Sequence, residues 1–333
     1  MVASSALAGP KCVAVTGASG FVGRHTITAL LEGGATEVRA LGRDAAKCAH
    51  VLPQDDRVRT VLGDVFEEDA IDELLDGADA VVHTIGIRRE APGATFERMH
   101  PGATREVIEG CERTGMSRFI HISALGTRAN APTQYWRTKY MAEQMLHASA
   151  LHWTILRPSI IHGPDGEFMQ MCRDWAIGRA APWVVIPYFA QVEPPRGFPP
   201  SLPRCVSALV QPIAVDDVAR AVVACLGNNE TVEEVYALGG SERLTWPELL
   251  RHVRDHVPMA DRKKRIVPMP VGAGLAMATV AKHVGLSSAL PFGESEPGMA
   301  GEDSTCELDK VRAHLGFVPG PFRTAMAQYA NRL

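Results

Sequence analysis

The chain has 333 residues, 46% hydrophobic and 22% charged, which is enough to bury a large nucleotide-binding core with a smaller lobe appended. Its formal net charge of −4, with Lys and Arg dispersed, excludes a nucleic-acid partner, because phosphate backbones are held by a basic surplus. Its cysteines, at positions 12, 48, 111, 172, 205, 225 and 306, are odd in number and lack C-x-x-C or Cys/His ligand spacing; this argues against a disulfide framework and a metal site and points to a reducing, cytoplasmic compartment.

Met1 to Ala8 has no positive n-region, too short an apolar stretch for secretion and no arginine, so it reads as a leader without a targeting signal. Next comes an apolar strand, Cys12-Val13-Ala14-Val15, then Thr16-Gly17-Ala18-Ser19-Gly20-Phe21-Val22-Gly23. A helical pattern of Ile27, Leu30 and Leu31 follows and stops at Gly33-Gly34. This spacing suits a dinucleotide pyrophosphate. Gly17 allows the tight turn, Gly20 brings backbone N–H groups close to phosphate oxygens, and Gly23 lets the helix lie against the sheet. Ser19, Phe21 and Val22 belong to the same turn and helix N-terminus.

Strand-like runs then alternate with helical patterns: 38–41, 58–62, 80–83, 119–122 and 153–156, with helices expected over 67–76, 95–114 and 134–149. That alternation predicts an α/β fold, a Rossmann-type doubly wound parallel sheet over residues 11–160, followed by a smaller C-terminal α/β substrate lobe over 161–333. Segments around 206–240 are expected to return to the first domain. The second strand ends Gly42-Arg43-Asp44, so no carboxylate is offered to a ribose 2′-hydroxyl. Arg43, with Lys47 a turn later, presents cations to a 2′-phosphate, which favours NADP(H) over NAD(H); the alternative is a solvated Arg43 with Asp44 merely capping the next helix. In Gly63-Asp64-Val65, Asp64 either meets the adenine amino group or caps the helix beginning near Glu67. Thr84 and Gly86 close the fourth strand, where a glycine lets backbone pass beside the ribose, and His83 reads as a core histidine. Arg88 and Arg89 stand near the predicted cleft, either to receive an anionic group or simply solvated.

Tyr135 and Lys139 share one face of a helix at i and i+4. A free phenol has a pKa near ~10, and a neighbouring ammonium moves it toward useful acid/base strength. Ser123, at the end of the fifth strand, is placed to hydrogen-bond a substrate oxygen. Beyond Pro158 regularity fails: Pro194, Pro195, Pro199, Pro200 and Pro203 crowd a loop or lid over 190–205. Structure resumes with Val206 to Ile213, a helix over 215–226, the strand Val235 to Leu238, and a helix N-capped by Thr245 with Glu248 completing a capping box. The weakly polar stretch from Ile266 to Ala281 contains two prolines and is too short to span a bilayer.

The glycine turn, Gly63-Asp64-Val65, Ser123, Tyr135-Trp-Arg-Thr-Lys139 and Leu156-Arg157-Pro158-Ser159 together resemble an extended or atypical short-chain dehydrogenase/reductase, over roughly residues 11–255. Within that superfamily, the phrases His121 to Gly126, Trp153 to Ser159 and Gln211 to Asp217 are similar to the branch that holds the NADPH-binding accessory subunit of respiratory complex I and its bacterial relatives. The resemblance implies Tyr135 as general acid/base, Lys139 as ribose anchor and pKa modulator, Ser123 as substrate orienter, and Pro158-Ser159 beside the nicotinamide. His162 stands where sugar-nucleotide enzymes usually carry a tyrosine, which counts against such a substrate. Three readings follow: an NADP(H)-dependent oxidoreductase acting at a carbonyl or alcohol carbon; a non-catalytic NADPH-binding accessory subunit, docked on a respiratory complex at the inner face of its membrane, with the tail from Pro270 to Val284 as a contact; or an epimerase/dehydratase that recycles its cofactor. The partner is otherwise a small-molecule substrate or a second copy of the chain.

Overall fold

The computed structural model describes residues 10–194, 203–286 and 290–333. Met1 to Ala8, and residues 195–202 of the proline-rich stretch, lie outside the described residues. The first unit comprises the described residues through Pro158, together with Val215–Leu238 and Glu307–Pro319.

In that unit, β1 (Cys12–Thr16), with five buried residues, leads to α1 (Phe21–Glu32), β2 (Glu37–Gly42), α2 (Ala45–Val51), β3 (Val58–Leu62), α3 (Glu68–Leu75) and β4 (Ala80–His83). Then come α4 (Ala103–Thr114), β5 (Arg118–Ile122), α5 (Gln134–Ala148) and β6 (His152–Pro158). The expected helix over 95–114 is interrupted by a π-helical turn at Arg98–Gly102, which contains Pro101; a proline has no N–H to give the ordinary helical ladder.

The second unit supplies β7 (Ile161–His162), α6 (Glu167–Ile177), β8 (Val185–Glu193), β9 (Arg204–Val206), β10 (Leu209–Val210) and β11 (Ile213–Ala214). The first unit resumes with α7 (Val215–Leu226) and β12 (Glu234–Leu238). The second continues through β13 (Leu244–Thr245), α8 (Trp246–His256), β14 (Arg265–Pro270), α9 (Val271–His283) and α10 (Ser295–Ala300). Finally α11 (Asp309–Leu315) belongs to the first unit and α12 (Phe322–Tyr329) to the second.

The first unit is built on one parallel sheet in the order β12-β6-β5-β4-β1-β2-β3. Strand order reverses between β1 and β4, and in such sheets ligands bind at the carboxyl ends flanking that point. The strands are apolar on both faces because helices cover both. Ile71, Leu74, Val107, Cys111, Phe119 and Ile155 form one continuous core.

In the second unit β8 has nine residues and β14 six, while the other strands have two or three: β11 pairs with β7, β10 with β13, and β14-β8-β9 form three strands. The segment from Val206 to Ile213 is therefore not one run: it holds the end of β9, all of β10 and the start of β11. The core there is Met169, Trp175, Leu249, Val253, Phe322 and Met326. Thr245 caps α8, with the capping box to Glu248 complete. Among the described residues no helix is long and apolar enough to cross a membrane, no cluster of three or more His, Cys, Asp or Glu side chains could hold a metal, and all seven cysteines are free.

Candidate cofactor and catalytic site

The glycine turn is shaped by backbone contact. Gly17 has φ +68°, and a Cβ on it would lie 2.7 Å from Thr84 Oγ1, which itself donates to Thr16 O at 2.8 Å. The start of α1 is pressed so close to the turn that a Cβ at Gly23 would sit 2.3 Å from Gly17 O. Gly20 N–H closes the turn on Gly17 O at 2.9 Å. Gly20 is also the N-cap of α1; no side chain caps it and no acidic residue occupies the first turn. The first N–H groups of α1 thus face outward beside Ser19, Phe21 and Val22, an arrangement that accepts an anion. The residues fit a dinucleotide pyrophosphate on steric grounds as well as electrostatic ones.

At the ends of β2 and β3, Arg43 is 73% exposed on its side chain and meets Asp64 only loosely, Nη1 to Oδ2 at 3.4 Å. Asp44 caps α2 by accepting Lys47 N–H at 3.0 Å, as the alternative reading of this segment has it. A Cβ at Gly42 would lie 2.2 Å from Cys48 Sγ, so a side chain at the end of β2 requires the Cys48 thiol to move. Asp64 does not cap α3: the N-cap is Glu67, and Asp64 Oδ1 instead accepts Phe66 N–H at 3.2 Å. That removes the capping alternative, because the chain turns for two more residues before helical geometry begins. Val65 is buried in the core beside it.

The third part of the site joins β4, β5 and α5. Thr133 caps α5, which puts Tyr135 in its first turn and Lys139 one turn on. Lys139 is 3% exposed and its Nζ donates to Ile122 O at 2.9 Å. Burial pulls its pKa down to about 8, opposed by the Glu143 carboxylate. A Cβ at Gly86 would lie 3.0 Å from that Nζ, so the glycine keeps the backbone after β4 in close reach of the ammonium. Tyr135 packs edge-on against Phe96 and His100, ring centroids 5.8 and 5.3 Å away.

Ser123 Oγ donates to Glu143 Oε1 at 2.5 Å. Glu143 is fully buried and its charge is met by Arg157, whose Nε donates to Oε1 at 2.9 Å and whose Nη2 donates to Oε2. The serine hydroxyl proton is therefore already held within the protein. Ser159, in the second unit, has its Oγ 3.1 Å from Ser304 O; Pro158 ends β6 in the first. Arg88 is half-buried and Arg89 exposed.

Beneath Lys139 lie three histidines that sequence reasoning singled out only in part. Thr104 donates to His100 O at 2.8 Å, so it accepts from His83 Nε2 at 3.3 Å and Thr16 Oγ1 donates to His83 Nδ1 at 2.7 Å. Thr138 gives its proton to backbone in its own helix and so accepts from His100 Nδ1 at 2.8 Å. His100 Nε2 then accepts Ile87 N–H at 3.3 Å. Both rings are neutral: burial, then the Lys139 charge, lowers His83 to about 3 and His100 to about 2. His121 stacks on His83 at 5.5 Å and 13° with both nitrogens buried and unpartnered, and burial holds its pKa well below the usual value. Glu143 was legible in principle, lying four residues after Lys139 on the same helix face; nothing local marks His100.

Comparison with known proteins bears on the fold and on nucleotide binding. A family model described as NAD(P)H-binding matches residues 17–170, and one described as male sterility protein matches residues 124–222. The chain is 32% identical over 152 residues to ceramide reductase of Caulobacter vibrioides, covering 46% of this chain and 47% of that protein. It is 26% identical over 266 residues to the mitochondrial NADH dehydrogenase (ubiquinone) 1 alpha subcomplex subunit 9 of Arabidopsis thaliana, covering 79% of this chain and 61% of that subunit. It thus spans less than two thirds of the length of either relative. Among solved structures, an Escherichia coli NADPH-dependent quinone oxidoreductase complexed with NADPH superposes with a TM-score of 0.70 at 17% identity, covering 96% of this chain and 100% of that one. A Streptomyces venezuelae dTDP-glucose 4,6-dehydratase with NAD bound gives 0.70 at 19% identity, covering 96% and 95%. Fold and glycine turn define an NAD(P)H-binding Rossmann protein. The chain is similar to proteins of the extended short-chain dehydrogenase/reductase type, among them the complex I accessory branch.

Proposed function

We propose that the protein is an NADP(H)-dependent oxidoreductase acting at a carbonyl or alcohol carbon, with Tyr135 as acid/base. The observation that carries this reading is the buried Lys139 ammonium, fixed on Ile122 O one turn from Tyr135 and beside Gly86. The nicotinamide supplies the hydride. The chain's part is to seat the pyrophosphate on the N–H groups at the start of α1, hold the 2′-phosphate with Arg43, and deliver a proton from Tyr135 Oη to the substrate oxygen. Lys139 stabilises the resulting phenolate and holds ribose hydroxyls. The neutral histidines add no competing positive charge beneath it. Ser123, its proton held by Glu143, acts by positioning the β5 end, and the proton comes from Tyr135.

In a carbonyl-substrate screen, the wild-type chain is expected to oxidise NADPH. Tyr135→Phe should lower kcat by at least about a hundredfold while leaving the NADPH Kd nearly unchanged. Undiminished turnover removes Tyr135 from the mechanism. A second reading, an accessory subunit holding NADPH on a respiratory assembly, draws on the similarity to the Arabidopsis subunit across 79% of the chain. It is favoured if the wild-type chain turns over no carbonyl and exchanges NADPH very slowly. Net conversion of a substrate without NADPH consumption would instead indicate epimerase/dehydratase chemistry.

A further inference from the structure

The second unit carries large apolar side chains in water at one end of its three-stranded sheet. Trp183 is 64% exposed, Val184 78% and Met259 85%; a cluster of this kind marks an interaction surface more often than a core margin. Two loops present them. Residues 178–184 link α6 to β8, and residues 257–264 link α8 to β14. The loops meet because β8 and β14 start side by side, with Arg265 opposite Val185.

They are also fixed from beneath. Asp261 N–H donates to Ala176 O at 3.1 Å, the buried Lys264 Nζ donates to Trp175 O at 2.7 Å, and Trp175 Nε1 donates to Ala181 O at 2.9 Å. A Cβ on Gly178 would sit 3.0 Å from Lys264 Nζ and 3.6 Å from Trp183 O, so both loops share one crowded base. Met259 itself has φ +61°, a conformation unfavourable for a non-glycine residue and maintained by its surroundings.

The exposed charges of these loops and the start of β14 are four cations to one carboxylate. Arg179, Arg262, Lys263 and Arg265 are all exposed, and none forms a side-chain ion pair among the described residues. The one carboxylate in the two loops, Asp261, accepts Lys263 N–H at 2.9 Å. An exposed indole and an exposed thioether on loops that also carry exposed cations without ion pairs match the boundary of a membrane, where apolar groups enter below the headgroups and cations meet lipid phosphates. A second copy of the same rim would bring like charges together.

We propose that this rim docks the protein peripherally on a lipid bilayer carrying anionic headgroups, with Trp183, Val184 and Met259 entering the interface. The inference does not depend on the reaction catalysed. The test is flotation of the full chain with vesicles of phosphatidylcholine alone and of phosphatidylcholine mixed with phosphatidylserine. Binding is expected to the mixed vesicles, reduced by added salt, and weakened about tenfold or more both by the double substitution Trp183→Ala/Met259→Ala and by Arg262→Glu/Lys263→Glu. All four positions are exposed, and an unchanged thermal midpoint shows that the fold is kept. Binding to mixed vesicles that neither variant weakens, equal binding to the two vesicle types, or no binding to either overturns the proposal. A concentration-dependent dimer that Trp183→Ala/Met259→Ala abolishes would assign the rim to a second copy and overturn it as well.

Discussion

Each unit contains a glycine squeezed against a carbonyl, and only one of the two positions is suited to a ligand. In the first, Gly23 would place a Cβ 2.3 Å from Gly17 O; in the second, Gly240 would place one 2.2 Å from Pro212 O. The crowding is equal. Gly23, however, lies where a parallel strand gives way to an uncapped helix start, so the lost side chain leaves N–H groups exposed to an anion. Gly240 follows β12, and its own N–H is taken by Gln211 O at 3.2 Å. Close packing by itself therefore does not mark a site; close packing with unspent donors does.

The largest effect expected from this comparison comes from paired substitutions. Gly23→Ala and Gly240→Ala should each cost about 1–3 kcal/mol of stability in urea unfolding, but only Gly23→Ala should abolish NADPH binding in a fluorescence titration. Equal loss of binding in both would break the distinction.

The next effect concerns acid stability. Burial lowers His83 to about 3 and His100 to about 2 in the folded chain, and holds His121 low too. Below the ordinary value of 6.5 the unfolded chain binds protons that the folded chain refuses. Stability is thus fully present above pH 6.5 and falls as pH drops through it toward 3, by up to about 1.4 kcal/mol per pH unit for each ring. Urea midpoints at pH 7 and pH 5 check this; a flat profile would show that the rings find protons in the fold.

The smallest effect is at Arg43. Arg43→Ala should weaken NADPH about tenfold, the worth of a charge-assisted hydrogen bond, and leave NADH nearly unchanged. Equal losses would return Arg43 to the status of a solvated arginine.

Much of the first unit was legible in the sequence because its elements declare themselves locally. Cys12 to Val15 and Ala80 to Val82 are apolar runs of strand length; in the second unit only the cap made by Thr245 with Glu248 is as local. The Tyr135/Lys139 spacing needs only helical geometry. What stayed hidden depends on partners distant in sequence. Ser123 reads as a free hydroxyl until Glu143 and Arg157 are brought beside it. His100 gains meaning only when the π-helical turn sets it against Tyr135 and Thr138. Asp64 looked capable of capping because a turn of two residues cannot be told from a helix start by composition. The two- and three-residue strands of the second unit, β7, β9, β10, β11 and β13, carry too few residues for periodicity to register.

The thiol beneath the end of β2 also bears on how this chain can change. Because Cys48 Sγ lies 2.2 Å from where a Cβ at position 42 would stand, a carboxylate enters there only if that thiol turns aside or residue 48 changes with it. Positions 42 and 48 are thereby coupled: Gly42→Asp alone meets the thiol, whereas Gly42→Asp with Cys48→Gly clears the place for a carboxylate at the end of β2.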